Sequence, residues 1–213
     1  MRKMIKHYPN GVPFQEQFTA DHKSSFHTAP AHDNIIYGNR GMSLEQEINL
    51  SNKYYLESGI AVIHKKPIPI QIVDVCYPKR SAAVIKEAYF KQASTTDYNG
   101  VYRGHYIDFE AKETRNRSSF PLNNFHDHQI KHMKACEKQQ GICFTIVKFV
   151  VRQEIYLMPS HLLFHYWDGR EKDRKSIPYE QIKQESYLIN YHINPRIPYL
   201  KGVDQLINKL KMP

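Results

Sequence analysis

At 213 residues, 41% hydrophobic and 24% charged, the chain has the size and composition of one globular domain with embellishments. Thirty Lys and Arg against 21 Asp and Glu leave a net charge of +9, which favours polyanionic partners through long-range attraction and counterion release. No apolar run reaches the roughly 18 residues that a transmembrane helix needs, and the basic start "MRKMIKHYPNG" lacks the apolar stretch of a secretion signal, so a cytoplasmic location is expected.

Residues 1–36 carry Pro9, Pro13 and Pro30, several histidines and few aliphatic side chains, without periodicity. That is the composition of a mobile tail, which leaves 37–213 as the ordered domain. Ser43 with Gln46 three positions on forms a capping-box pattern, and it predicts a helix whose apolar face carries Leu44, Ile48 and Tyr55 and which ends at Gly59. Glu47 is expected to point to solvent. "GIAVIHKKPIPIQIVDVCYP" reads as extended and is interrupted by Pro67, Pro69 and Pro78. Two prolines so close exclude a central strand, and six basic residues against two acids between Lys65 and Lys91 give +4. A projecting basic arm over about 65–92 is expected. "SAAVIKEAYF" returns as a strand or a short helix. A hairpin turning near "DYNG" and returning as "YIDFEAKE" follows, then a helix over roughly 124–139 and two buried strands, "GICFTIVKFVV" and "EIYLMP". "SHLLFHYW" reads as a short helix and "KGVDQLINKL" as an amphipathic terminal one. Strands mixed with helices indicate an α/β domain. Cys76, Cys136 and Cys143 form no CxxC pair, so neither a zinc ribbon nor a disulfide framework is expected.

In "YIDFEAKE" side chains alternate, so Ile107, Phe109 and Ala111 face packing while Asp108, Glu110 and Lys112 share the other face. Asp97 comes from the preceding arm. Two carboxylates brought together repel unless a cation joins them, and Mg²⁺ suits one or two carboxylates plus phosphate and water. A lysine beside such an ion can orient water and offset charge on a pentavalent phosphorane. The plainer alternative is a surface strand with a Glu–Lys pair. His126, His128 and His132 invite a zinc reading, but helix-surface or phosphate-contacting histidines are expected instead.

Asp97 followed thirteen positions later by Glu-x-Lys is the pattern of the PD-(D/E)xK restriction-endonuclease-like nucleases. "NRGMSLEQEIN", "STTDYNGVYRGHYIDFEAKET" and "SSFPLNNFHDHQIKH" resemble, more closely, the RecU family of Holliday junction resolvases, over roughly residues 36–200. The resemblance implies a restriction-endonuclease-like core, with a mixed central β-sheet flanked by helices, a stalk insertion and a flexible N-terminal tail. It implies a Mg²⁺ site, with Mn²⁺ able to substitute, held by Thr95 (through backbone or hydroxyl), Asp97, Glu110 and Gln129. Lys112 would stabilise the transition state and Glu45 would stand beside the ion. Lys65, Lys66, Lys79 and Arg80 would meet phosphates at the junction, Tyr89 and Phe90 would stack on bases, and Arg115 and Arg117 would grip the scissile strand. A homodimer acting on DNA four-way junctions is implied, with a recombinase and a branch-migration motor as partners. A sequence-specific endonuclease on the same core, or a non-catalytic regulator of a recombinase, remains the alternative.

Overall fold

The structure, a computed structural model, describes residues 42–79, 82–91 and 95–210. The expected tail over 1–36 and the candidate Arg80 lie outside the described residues. In chain order the elements are α1 (Leu44–Glu57), β1 (Val62–Lys65), β2 (Ile70–Cys76), β3 (Val84–Phe90), β4 (Tyr98–Tyr102), β5 (His105–Thr114), β6 (Ser119–Pro121) and α2 (Asp127–Lys138). They continue as β7 (Ile142–Phe149), β8 (Glu154–Pro159), α3 (Ser160–Gly169), β9 (Ser176–Pro178), α4 (Tyr179–Glu185), β10 (Tyr187–Ile189) and α5 (Leu200–Leu210). This is a mixed α/β fold, and "SAAVIKEAYF" resolves as strand.

The main unit is built on a six-stranded sheet in the order β1-β4-β5-β7-β8-β10, antiparallel except for the central β5–β7 pair. The sheet separates two apolar layers. Ile107, Phe109, Phe144, Ile146 and Leu157 pack with α1 and α5 on one face. Cys143, Val147, Phe149, Tyr156 and Met158 pack with α2, α3 and α4 on the other. Because both faces are covered, β5 buries four successive residues, Ile107 to Glu110, two of them charged.

The capping box of α1 is formed. The Ser43 hydroxyl accepts from Gln46 N at 3.3 Å, and the Gln46 amide oxygen accepts from Ser43 N at 2.9 Å. Leu44, Ile48 and Tyr55 are buried, but Glu47 is too, against expectation, at 2% exposure. It lies three positions from Leu44, on the same helical stripe, and its charge is met by Lys148 Nζ at 2.9 Å, Tyr191 Oη at 3.0 Å and Arg196 Nε at 3.2 Å. These partners come from β7 and from the 191–196 loop, which a local periodicity argument cannot see.

The hairpin turn also differs from expectation. "DYNG" does not turn; β4 runs through it, and the chain reverses at Arg103 and Gly104, with φ of 50° and 78°. Two successive positive φ values are what a two-residue hairpin turn of primed type requires. Gly100 instead serves a close approach, because a Cβ there would collide with the Val62 carbonyl and stand 2.7 Å from Ile63 Cα in β1. Gly100→Ala is therefore expected to pry β1 from β4 and to lower stability by about 1–3 kcal/mol, the usual cost of overpacking. Thermal denaturation measures this as a fall of several degrees.

Residues Ile70–Phe90 form a unit of their own. β2 and β3 pair antiparallel with a bulge around Asp74, and large apolar side chains on them stay open to solvent: Ile72, Val73, Val84, Tyr89 and Phe90 are each at least half exposed, as is Tyr77 just after β2. Pro67 and Pro69 sit between β1 and β2, outside either ladder, where a missing N–H does no harm.

Candidate active site

The spacing of Asp97 and Glu110 is the length of one hairpin. Tyr102 pairs with His105 and Tyr98 with Phe109, so extending the register by one residue sets Asp97 opposite Glu110. Phe109 locks that register from the other face, stacked between Tyr98 at 4.8 Å and Phe144 at 4.7 Å. At the end of β4 the Asp97 backbone N–H, no longer needed by the ladder, donates to Glu110 Oε2 at 3.1 Å.

Glu110 is fully buried. Burial, with the negative charge of Asp97 beside it, raises its pKa to about 8, and Lys112 opposes this only in part. The Lys112 Nζ lies 2.7 Å from Glu110 Oε1. Oε1 is thus ion-paired and has no second partner among the described residues. Thr145, opposite Glu110 on β7, has a buried hydroxyl with no hydrogen-bond partner among the described residues.

Beside these carboxylates is a pocket of about 360 Å³ lined by Thr95, Asp97 and Gln129 together with Lys65 and Lys66. A larger cavity of about 660 Å³ shares no residue with this site. Gln129, which as a lone residue would pass for a surface glutamine, is 5% exposed. Its amide oxygen accepts from His126 N at 3.0 Å in the first turn of α2, which fixes the side chain's direction and leaves one lone pair. The four residues offer oxygen ligands, and two of them are carboxylates of like charge side by side. That chemistry fits a hard divalent cation such as Mg²⁺.

Glu45, on the first turn of α1, is half exposed and ion-paired with Lys65, which lines the same pocket. Lys66 is placed differently from a phosphate contact. Its ammonium turns inward, to Asp108 Oδ2 at 2.7 Å and Thr96 Oγ1 at 3.0 Å. Asp108 is also fully buried, on the same face as Glu110, and accepts besides from Thr96, from Tyr106 Oη at 2.8 Å and from His132 Nε2 at 3.1 Å. Burial alone would raise its pKa, but these donors hold it below the ordinary carboxylate range. Composition marked Asp108 as charge on a strand; nothing local in the sequence showed that four donors converge on it.

Arg115 and Arg117 follow β5 and are exposed. The Arg117 carbonyl accepts from Arg152 Nε at 2.6 Å, and the Arg152 guanidinium stacks 3.7 Å above Tyr179, which steadies that bend. His128, adjacent to Gln129, has its pKa lowered by burial and by the nearby charges of His126 and Lys112, and its buried Nε2 has no partner among the described residues. On the separate hairpin unit, Tyr89 and Phe90 are 60% and 82% exposed.

The sequence matches the family described as "RecU: Recombination protein U" over residues 39–205. It is 65% identical over 210 residues to a protein of Ligilactobacillus salivarius (strain UCC118) named "Holliday junction resolvase RecU", covering 96% of this chain and 99% of that one. A protein of the same name from Limosilactobacillus reuteri (strain DSM 20016) is 58% identical, covering 96% and 98%. The Bacillus subtilis (strain 168) protein of that name is 54% identical, covering 93% and 94%. With a family match spanning most of the chain and relatives this similar end to end, the chain belongs to the RecU family.

Proposed function

We propose that this chain is a Mg²⁺-dependent endodeoxyribonuclease that resolves Holliday junctions, nicking two strands of like polarity as a homodimer. The observation that carries the proposal is the fully buried Glu110 carboxylate, set against the Asp97 charge and offset only by the Lys112 ammonium at 2.7 Å. Such an arrangement is poor for stability and suits a cation. Relatives named for Holliday junction resolution support the choice of substrate.

Thr95, Asp97, Glu110 and Gln129 would hold the ion. Bound there, Mg²⁺ supplies Lewis-acid polarisation of the phosphate and neutralises charge building on it. Lys112, already drawn to Glu110, directs its ammonium at the scissile phosphate, where it orients water and stabilises the phosphorane. Glu45, through its pair with Lys65, sets the charge at the pocket rim. Arg115 and Arg117 take the strand leaving the site, fixing position without reading bases.

A four-way junction has two-fold symmetry, and a dimer with one site per subunit matches it. The Ile70–Phe90 hairpin, basic and with apolar side chains open to solvent, is suited to act as the stalk that enters the junction. Tyr89→Ala and Phe90→Ala are each expected to weaken junction binding about tenfold or more while leaving duplex binding nearly unchanged, since one stacked base is worth about 1–3 kcal/mol. Gel-shift titrations on both substrates check this, and equal weakening of both would remove the stacking role.

The function itself is tested by incubating purified protein with Mg²⁺ and either a mobile four-way junction or matched linear duplex. Paired symmetric nicks in the junction alone are expected. Cutting of both substrates would point to a sequence-specific nuclease, and cutting of neither to a non-catalytic binder.

A further inference from the structure

The proposed ion-binding segment, Thr95 to Asp97, is short, follows no regular element and yet must present donors to an ion with sub-ångström consistency. Lys66 touches it at two points. Its backbone N–H donates to the Asp97 carbonyl at 2.7 Å, and its ammonium donates to Thr96 Oγ1 at 3.0 Å. The same ammonium is held from behind by Asp108 Oδ2 at 2.7 Å, and Asp108 itself accepts from the Thr96 hydroxyl. Thr96 is 3% exposed and Asp108 has no exposure, so this grip is an interior one. His132 Nε2, 3.1 Å from Asp108 and 3.4 Å from the ammonium, closes the ring from α2.

We infer that Lys66, partly buried, and Asp108, fully buried, form an ion pair that positions the Thr95–Asp97 segment for the metal, and that Lys66 is a positioning residue rather than a contact to DNA phosphate. The inference rests on the metal-site reading proposed above and adds to it. Asp108, His132 and Cys136 lie close enough to ligate a cation of their own. The Lys66 ammonium already stands against Asp108 and His132, however, and fills the role of resident cation. A charge pair this buried is costly to break from one side only, because the surviving charge is left without a partner. It is also stiff, and outer groups that orient ligands commonly change metal affinity by about 10–100-fold when removed.

The test uses full-length protein, with Mn²⁺ binding measured by isothermal titration calorimetry without DNA and junction binding measured in EDTA across a salt series. Lys66→Met is expected to raise the Mn²⁺ dissociation constant at least about tenfold. Cleavage should recover at high metal concentration, and junction affinity and its salt slope should stay as in the unaltered protein. Since Lys66→Met leaves a lone buried carboxylate, the neutral pair Lys66→Met with Asp108→Asn serves as the second variant. It should fold and show the same loss of Mn²⁺ affinity. Normal Mn²⁺ binding by the double variant, in which no carboxylate is left at 108 to take the ion, overturns the inference, as does a junction affinity that falls with a salt slope shallower by about one, the mark of a lost phosphate contact. Glu110→Gln separates the two levels. Loss of Mn²⁺ binding there but not in the double variant overturns the positioning role alone, whereas normal binding in both overturns the metal site beneath it.

Discussion

Glu110→Gln is expected to reduce junction cleavage by at least about a thousandfold while junction binding changes less than about threefold. The substitution keeps shape and the Asp97 N–H contact but removes the carboxyl group that would give up its proton to hold the ion, and metal-assisted hydrolysis depends on that ligand. Single-turnover cleavage and gel shift on the same junction measure the two quantities separately. The altered proton balance supplies an independent sign. With its pKa raised to about 8 in the metal-free fold by burial and Asp97, Glu110 carries a proton at pH 7 that the unfolded chain, titrating near 4.5, does not. The folded state thus binds more protons than the unfolded one between those values, so metal-free stability falls as pH rises from about 4.5 to about 8 and then levels off. Glu110→Gln should abolish that fall, which is on the order of a few kcal/mol, and should be the more stable protein at pH 9 without metal. In the unaltered protein, Mg²⁺ binding at pH 7 should release close to one proton, and calorimetry in buffers of differing ionisation enthalpy would detect it. No proton release would mean that Glu110 takes no part in holding the ion.

Lys112→Met is the second large effect, with cleavage expected to drop by about 10²–10³-fold, the size associated with one positive group lost from a developing oxyanion. Its signature differs from that of Glu110→Gln. Lys112 opposes the upward push on Glu110, so its loss raises the Glu110 pKa further. Metal must then compete with a more tightly held proton, and the rise of residual activity with pH should move to higher pH. A pH–rate profile at a fixed, subsaturating Mg²⁺ concentration reads the shift. A profile unmoved beside a full loss of rate would confine Lys112 to the phosphate side of the reaction, and an unchanged rate would remove it from the site.

Where the governing interactions are local, the sequence was legible. The Ser43–Gln46 capping box and the buried stripe from Leu44 to Tyr55 follow from spacing along one helix. The alternation that puts Glu110 and Lys112 on one face of β5 follows from the pleat. Local rules also misled. An Asn-Gly step favours a tight turn, yet Asn99 and Gly100 run through β4 because β1 lies against Gly100, and Arg103-Gly104 takes the turn. Glu47, expected to point to solvent from its place on the helix, is buried because Lys148 and Arg196 arrive from about a hundred or more residues away to meet its charge. Asp108 and Lys66 share that difficulty. Their environments are assembled from α2, β5 and the segment after β1, and no window of one element contains them. Family resemblance singled out Gln129 where periodicity did not; the basic charge of the 65–92 segment pointed Lys66 to phosphate, whereas the side chain turns inward to Asp108.

The central claim is most directly tested by growing crystals in Mn²⁺ and recording anomalous scattering at the manganese edge. A peak coordinated by the carboxylates of Asp97 and Glu110, with Gln129 and Thr95 in reach and the Lys112 amine displaced to one side, is the predicted result. Manganese found only elsewhere, with Glu110 still unmetallated and held by Lys112 alone, would contradict the account.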